Sequence, residues 1–363
     1  MTKDFTKEKF AFPSKFNSKT IHAVIYRPKT EVKGLVQVIH GFSEHIGRYD
    51  KFMTLLAEQG YVAFGDDHLG HGLTAESESE LSDVGSYAAL DPMLADQKEI
   101  NRIVREQYDS KHHTQDDQKN TSLDDSLDDS PDDSLDDSPD DSLDDSPDDS
   151  LDDSPDDPQD NSRLPCIILG HSMGSLMLRG LLIRHPDICD KAIIMGTGDN
   201  PPILLKVFSL ILTLFKTFKP GNYRSPFINY LGIGKYNSFF KPKKTNYDWL
   251  SENPENISLY TQDLYCGTPG TLHTFYFLLK LMTLIRKPNE LTKMRKDLPV
   301  LFVSGEQDAF GGFGKGVNKI VQLFKKAGMK NVNSILYPKM RHEILKEKDH
   351  NQVIQDIFDF IEI

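Results

Sequence analysis

Residues 165–178 read PCIILGHSMGSLML, and this stretch decides the fold. An apolar run of strand length at 166–169 is followed by Gly170-His171-Ser172-Met173-Gly174, which fits G-x-S-x-G, and then by a sequence of helical character. The order is therefore strand, sharp turn, helix. Small residues two positions before and after the serine let the strand and helix backbones approach closely, which lifts the serine hydroxyl out of the top of the sheet. We predict Ser172 to be a nucleophile.

Strands and helices alternate on both sides of this turn. Apolar or alternating runs predict strands at residues 20–27, 34–40, 61–64, 191–195, 298–304 and 331–337. Apolar residues at helical spacing predict helices at 48–59, 91–108, 315–326 and 352–361. The alternation in 20–27 is that of an edge or half-exposed strand. The whole pattern predicts an α/β fold with a mostly parallel sheet and helices on both faces.

The alternation of strands and helices stops between residues 199 and 297. Two apolar stretches of helix length stand out there, 203–218 and 271–286. They can pack against each other in a core, or they can form a cap over the active site whose exposed apolar face meets acyl chains or a membrane surface. Both interpretations can hold together. The predicted division of the chain is a core of 1–113, 161–198 and 298–363, with a helical cap of 199–297 inserted before the late strands.

A repeat of SLDD and SPDD separates two parts of the predicted core. Residues 114–160 contain 21 aspartates, no glutamate and one lysine, a net charge of −20. Prolines within the repeat remove backbone donors and neighbouring aspartates repel each other, which disfavours any regular structure. We predict a disordered insert. Weak calcium binding and phosphorylation of its serines are the functional alternatives.

The composition limits the classes of protein that fit. Subtracting the charge of the insert, −20, from the net charge of −13 leaves +7 for the rest of the chain. This mildly basic remainder favours anionic surfaces or substrates only weakly. Cys166, Cys189 and Cys266 are an odd number at wide spacings, which is typical of reduced thiols. The first residues lack an apolar signal region, and no run reaches the roughly 20 apolar residues of a membrane-spanning helix. We expect a cytoplasmic protein, peripheral to membranes where it contacts them, and no nucleic-acid partner.

Two residues downstream of Ser172 complete a catalytic pattern. A serine hydroxyl attacks a carbonyl only when an imidazole removes its proton and a carboxylate orients that imidazole. In folds with this turn, the acid and then the base follow the serine, each after the end of a later strand. Asp308 follows the strand predicted at 298–304, and His342 follows the last predicted strand. We predict Asp308 as the acid and His342 as the base, with Glu306 and His350 as their rivals.

Backbone N–H groups are needed to stabilise the negative charge that develops on the attacked carbonyl oxygen. One is expected from Met173, directly after the serine. The other is expected from the loop after the strand at 34–40, where the sequence HGF places Phe42. Because the donors are backbone groups, the side chain of Phe42 is free to vary.

Several potential metal ligands occur near this loop. They are His40, His45, Asp67, His68 and His71. Their spacing matches no standard zinc site, and hydrogen bonds that shape turns explain them more simply. The glycines at 311–316 also lack the G-x-x-x-x-G-K-[ST] pattern of a phosphate-binding loop. We expect neither a metal nor a cofactor.

Six motifs in sequence order carry a resemblance to a known family. They are HGFSEHIGRY, DDHLGHG, GHSMGS, YDWLSENPENISLY, SGEQDAFGGFGKGV and YPKMRHEIL. The chain resembles the monoacylglycerol lipase, lysophospholipase and serine aminopeptidase-like branch of the α/β-hydrolases. Leu69 departs from the family pattern DHRGHG, which concerns local packing more than chemistry. The site that this resemblance implies consists of Ser172 as nucleophile, Asp308 as acid, His342 as base, and Phe42 and Met173 as oxyanion donors.

The leading interpretation is a serine esterase that hydrolyses a monoacylglycerol or lysophospholipid through an acyl-enzyme. Two apolar stretches in the cap favour a long acyl chain. Peptide or amide hydrolysis by the same three residues is the first alternative, and an acidic cluster in the cap would favour it. We expect the acidic residues there to lie on solvated helix faces; they are Asp248, Glu252, Glu255 and Asp263. The second alternative is a non-catalytic scaffold that recruits partners through the acidic insert.

Overall fold

The computed structural model describes residues 4–16, 18–120 and 163–362. From residue 121 onward, the predicted disordered insert lies outside the described residues. The chain divides into two compact units, Met1–Arg105 with Leu164–Ile363, and Glu106–Arg163. The first unit contains the sheet, and the second contains the C-terminal part of a long helix.

Among the described residues of the first unit, eight strands form a sheet. They are β1 (Phe5–Pro13), β2 (Thr20–Pro28), β3 (Gly34–Ile39), β4 (Tyr61–Asp66), β5 (Cys166–His171), β6 (Lys191–Met195), β7 (Val300–Gly305) and β8 (Val332–Tyr337). Their order across the sheet is β1-β2-β4-β3-β5-β6-β7-β8. β2 pairs antiparallel with β1 and β4, and the remaining neighbours pair parallel. The predicted mostly parallel sheet is confirmed.

The edge of the sheet next to β2 is β1, a strand that the sequence analysis does not predict. The sequence of β1, FTKEKFAFP, has too little apolar alternation to indicate a strand. In the structure only Phe5 and Phe12 of β1 are buried. Residues 20–27 are predicted as an edge or half-exposed strand, and the edge alternative is wrong, because β2 is paired on both sides.

In the described part of the chain, ten α-helices accompany the sheet. They are α1 (Asp50–Glu58), α2 (Leu90–Asn120), α3 (Met173–Arg184), α4 (Pro202–Phe218), α5 (Pro226–Gly232), α6 (Pro254–Gln262), α7 (Leu272–Leu284), α8 (Pro288–Leu291), α9 (Lys315–Lys326) and α10 (His350–Glu362). α2 continues beyond its predicted end at residue 108 and into the first residues of the predicted insert.

Helices cover both faces of the sheet, as predicted. On one face, Val303 of β7 belongs to a core that includes Phe52 of α1 and Ile357 of α10. Phe302, which precedes Val303 in β7, points to the opposite face and contacts Phe324 of α9, with ring centroids 5.1 Å apart. Because the central strands are buried on both faces, they are continuous apolar runs in the sequence.

Helices and turns make up the chain between β6 and β7. α7 is mostly buried, whereas α4 buries only Leu205 and Leu212. Leu210 and Phe218 of α4 are 72% and 74% exposed, although α4 also packs against α7. Of the two interpretations of these stretches, core packing therefore applies to α7, whereas α4 has an exposed apolar face. Treating residues 199–297 as a separate cap stays a prediction. Among the described helices, none has the length and apolar content needed to cross a bilayer.

Candidate active site

Ser172 stands on a strained turn between β5 and α3. β5 ends at His171 and α3 begins at Met173, and Ser172 between them has φ 54° and ψ −117°. A positive φ is unfavourable for a residue with a side chain, so the surrounding structure must hold it. One such constraint is the hydrogen bond that the Ser172 N–H donates to the carbonyl of Met195, at 3.0 Å.

Gly170 and Gly174 allow this turn to form. A Cβ on Gly170 would lie 2.4 Å from the carbonyl oxygen of Gly174, and a Cβ on Gly174 would lie 2.1 Å from that of Ile39. Both would collide with backbone atoms that cannot move aside as a side chain can. The glycines of G-x-S-x-G therefore serve the close approach of backbones that the sequence predicts.

His342 connects Ser172 to Asp308. Its Nε2 lies 2.8 Å from the Ser172 Oγ, and its Nδ1 lies 2.9 Å from the Asp308 Oδ2. The Asp308 carboxylate also accepts hydrogen bonds from the Phe310 N–H at 2.9 Å and the Ser304 hydroxyl at 3.3 Å. A carboxylate held in this way fixes the orientation of the imidazole. The structure thus brings together the three residues that the sequence singles out, from the ends of three parallel strands.

The imidazole of His342 is surrounded by aromatic side chains. The residue is buried, and the ring centroids of Trp249 and Phe310 lie 4.8 Å and 5.6 Å from its own. Burial alone would lower the pKa of His342, but the charge and hydrogen bond of Asp308 outweigh it and raise that pKa above its ordinary value. The pair therefore has the electrostatics of a general base and its orienting acid.

The two rival residues lie elsewhere. Glu306 is exposed at the end of β7. His350 is the first residue of α10, and its Nδ1 lies 2.6 Å from the carbonyl oxygen of Glu347. The contacts of His342 with Ser172 and Asp308 therefore favour the leading assignment over both rivals.

A cavity of about 440 Å³ lies over Ser172. The predicted oxyanion donors Phe42 and Met173 both line it. Gly41 lies close to the serine, since a Cβ on Gly41 would be 3.0 Å from the Ser172 Cβ. Apolar side chains of α4 and α7 also line the cavity. They are Leu204, Leu205, Val207, Phe208, Ile211, Phe275, Leu278, Leu279 and Met282. Its volume and apolar wall are those of a site for an organic ligand.

A buried ionic cluster at the cavity wall is not predicted from the sequence. Arg48 pairs with Glu44 at 3.0 Å and with both carboxylate oxygens of Glu343 at 2.5 and 3.0 Å. Burial alone would raise the pKa of Glu44, but a hydrogen bond from His171 and the charge of Arg48 hold it well below its ordinary value. The Glu44 carboxylate also accepts the Gly41 N–H at 2.6 Å. The sequence signal for this cluster is therefore the short spacing between Gly41 and Glu44.

The potential metal ligands around DDHLGHG form hydrogen bonds that shape turns, as predicted. Asp67 accepts the backbone N–H groups of Ile46 and Leu73, each at 2.8 Å. The Nδ1 of His71 lies 2.9 Å from the carbonyl oxygen of Leu69. Leu69 is itself buried, so the position that departs from the family pattern is filled by apolar packing.

A different set, His45, Asp263 and Cys266, brings three ligand-type atoms within 4.8 Å of one another. The His45 Nε2 and the Asp263 Oδ2 already form a 2.8 Å contact, and burial raises the pKa of the Cys266 thiol. Three donors are one fewer than a structural zinc site uses. A hydrogen-bonded His–Asp pair beside a neutral thiol accounts for the arrangement.

The acidic residues that would favour an amide substrate do not line the described cavity wall. Asp248 is buried and accepts the N–H groups of Lys244 and Thr245 at 2.7 and 3.0 Å, so the prediction of a solvated helix face is wrong for this residue. Glu252 pairs with Arg341 at 3.0 Å. The carboxylates of Asp248 and Glu252 therefore bind neighbouring groups of the protein.

The sequence profile of the serine aminopeptidase S33 family of hydrolases matches residues 30–114 and 141–349. The chain belongs to this family. The match covers more than half of the chain, and it includes every position of the predicted triad. It confirms the family resemblance that the six motifs carry.

Individual relatives agree with the family. A monoglyceride lipase homolog of monkeypox virus is 36% identical over 67 residues, which are 18% of this chain and only 24% of that relative's length. A carboxyl esterase of Bacillus coagulans, solved in complex with glycerol, has a TM-score of 0.77 at 25% identity over 98% of both chains. A monoglyceride lipase variant of Saccharomyces cerevisiae has a TM-score of 0.67 at 17% identity, over 100% of this chain and 97% of its own. The predicted α/β-hydrolase fold is confirmed.

Proposed function

We propose that this family member is a serine carboxylic-ester hydrolase that releases a fatty acid from a monoacylglycerol or a lysophospholipid. The observation that carries the proposal is the 2.8 Å contact between Ser172 and His342 in a cavity with an apolar wall. The likeness to a carboxyl esterase and to a monoglyceride lipase homolog supports an ester as substrate. The apolar wall supports a long acyl chain, since burial of apolar surface contributes about 0.8 kcal/mol per methylene.

Acylation follows from the placement of the three residues. His342 takes the hydroxyl proton as the Ser172 Oγ bonds to the ester carbonyl carbon, and Asp308 stabilises the imidazolium that forms. The backbone N–H groups of Phe42 and Met173 stabilise the oxyanion. The bond between the carbonyl carbon and the alkoxy oxygen then breaks, and His342 returns the proton to the leaving alcohol. An acyl ester of Ser172 remains.

Water completes the cycle. His342 removes a proton from a water molecule whose oxygen bonds to the acyl carbon. The bond from that carbon to the Ser172 Oγ breaks, and the proton passes from His342 back to the serine. One ester and one water thus become one fatty acid and one alcohol.

An anionic lipid surface is the partner that we propose for the exposed face of α4. Leu210, Leu214 and Phe218 are 72%, 60% and 74% exposed. Residues 202–244 contain eight lysines and arginines and no aspartate or glutamate. An apolar face among basic residues suits an interface rich in anionic lipids. A cytoplasmic location, expected from the cysteine pattern, is part of the same proposal.

A p-nitrophenyl ester series from acetate to palmitate, run beside an aminoacyl-naphthylamide, tests the function. We expect the highest kcat/KM on medium or long acyl chains. Ser172→Ala should lower kcat about 10⁴-fold or more. Ser258→Ala, at an exposed serine of α6, is the matched control and should leave kcat unchanged. Cleavage of the amide alone would overturn the ester assignment, and full activity of Ser172→Ala would overturn the nucleophile.

A further inference from the structure

Lys235 is a half-buried cation in the wall of the apolar cavity. It belongs to the short turn of helix Gly234–Phe239, between α5 and α6. Its Nζ lies 5.3 Å from the ring centroid of Tyr236. An ammonium at that distance from an aromatic face is held by the ring quadrupole, and this contact retains the charge without neutralising it.

Aromatic contacts connect this cation to the catalytic imidazole. The ring centroid of Tyr236 lies 5.5 Å from that of Trp249, and Trp249 lies 4.8 Å from His342. His342 is the group that protonates the leaving alcohol in the proposed reaction. Lys235 therefore lies on the part of the cavity wall that continues through Tyr236 and Trp249 to His342, whereas α4 and α7 supply the apolar part.

The charge of Lys235 has no counterion in the described part of the chain, where its Nζ makes no ion pair or hydrogen bond with a carboxylate. Two carboxylates do line the cavity, Glu44 and Glu343, but both are paired with Arg48. The surrounding segment 202–244 contains no acidic residue. Lys235 is thus an uncompensated positive charge in the binding site.

Partial burial of an uncompensated ammonium in an apolar wall is unfavourable, and a ligand that supplies the missing negative charge relieves this cost. Its burial is sufficient to lower the pKa of Lys235 below the ordinary value. A neutral glycerol head group accepts hydrogen bonds from the ammonium but brings no negative charge, whereas a phosphate supplies both the acceptor oxygens and the counter-charge. The cavity wall is therefore better matched to an anionic head group than to a neutral one.

We propose that Lys235 binds the phosphate of the substrate's head group, so that acyl glycerophosphates are preferred over monoacylglycerols with the same chain. This inference rests on the proposed function and selects between its two substrate classes. Lys235 is a specificity-determining residue in this proposal. The chemistry remains with Ser172, Asp308 and His342.

Two substrates with the same decanoyl chain test the inference, 1-decanoylglycerol and 1-decanoylglycerol 3-phosphate. Both are used below their critical micelle concentrations, so that no lipid surface contributes charge. The variants are Lys235→Met, Lys235→Arg and, as the matched exposed control, Lys287→Met. The quantity compared is the ratio of kcat/KM for the phosphate substrate to kcat/KM for the neutral one.

We expect a ratio well above one in the wild-type protein. Lys235→Met should lower the ratio about tenfold or more, mainly through a higher KM for the phosphate substrate. Lys235→Arg should retain most of it, and Lys287→Met should not change it. Because each ratio is measured within one protein preparation, a general loss of folded enzyme cancels. If Lys235→Met does not fold, the wild-type ratio and that of Lys235→Arg still decide.

Failure of the inference and failure of the proposed function give different results. A wild-type protein that hydrolyses decanoylglycerol in a Ser172-dependent way, with a ratio at or below one, overturns the role of Lys235 and leaves the esterase standing. An unchanged ratio in Lys235→Met would also overturn the role of Lys235 and leave the esterase standing. Hydrolysis of neither ester would overturn both proposals.

Discussion

The backbone N–H of Gly41 donates a 2.6 Å hydrogen bond to the Oε1 of Glu44. The same oxygen accepts the hydroxyl of Tyr49 at 2.8 Å, and the other carboxylate oxygen accepts Arg48 at 3.0 Å. One buried, charged side chain therefore fixes the loop that carries the predicted oxyanion donor Phe42. The position of that donor depends on the ionic cluster at the cavity wall.

Glu44→Ala should destabilise the fold, because it leaves the buried Gly41 N–H and part of the Arg48 charge unsatisfied. Breaking a buried pair on one side typically lowers the free energy of unfolding by about 3 kcal/mol or more. Glu58→Ala, at an exposed position of α1, should change it by less than about 0.5 kcal/mol. Urea denaturation measures both. Equal small losses in the two variants would contradict the role of Glu44.

Asp308→Asn should abolish most of the catalysis while leaving the shape of the site intact. The amide presents an N–H in place of a carboxylate oxygen and no longer stabilises the imidazolium of His342, which costs about 10⁴-fold in kcat in serine hydrolases of this type. Glu306→Gln removes the rival carboxylate and should leave kcat unchanged. Steady-state hydrolysis of a p-nitrophenyl ester compares them. The reverse order of effects would assign the acid to Glu306.

The pH dependence of kcat/KM should reflect the Asp308–His342 pair. His342 acts as a base only when neutral, so activity falls as the pH drops through its pKa in the free enzyme. Since Asp308 raises that pKa above 6.5, the acid limb should have its midpoint above 6.5. Ester hydrolysis in buffers from pH 5 to 9 locates the midpoint. A midpoint below 6.5 would mean that burial outweighs the carboxylate.

The sequence predicts those parts of the fold whose pattern is local. β5, the turn at Ser172 and α3 are recognisable because strand, glycine and helix signals follow one another within one short stretch. β6 and α9 are predicted with their observed bounds, since each is a clear apolar or periodic run. The triad is predictable because acid and base occur in a fixed order after later strands.

Other features depend on contacts between distant residues, and these the sequence does not reveal. β1 is a strand because it pairs along its whole length with β2, although most of its side chains are exposed. Arg48 and Glu343 are separated by most of the chain, and only the fold makes them a buried bidentate pair. That no described carboxylate pairs with Lys235 is likewise a property of its surroundings in space.

The exposed face of α4 gives the last prediction. Leu210 and Phe218 do not line the cavity, so replacing both by aspartate should leave hydrolysis of a monomeric ester intact. The same change should weaken binding to phosphatidylglycerol vesicles more than about tenfold, because each buried side chain contributes about 1.5–3 kcal/mol.

Leu259 and Leu264 provide the matched control for this double variant. They are 59% and 78% exposed, and they lie on and just after α6, a different helix from α4. Replacing both by aspartate adds the same charge to the helical segment, so a loss that came only from charge repulsion would appear in both double variants. Vesicle co-sedimentation at low and high salt separates the two contributions, since apolar insertion persists when salt screens the lysines. Equal losses in the two variants would show that α4 is not the lipid-binding face.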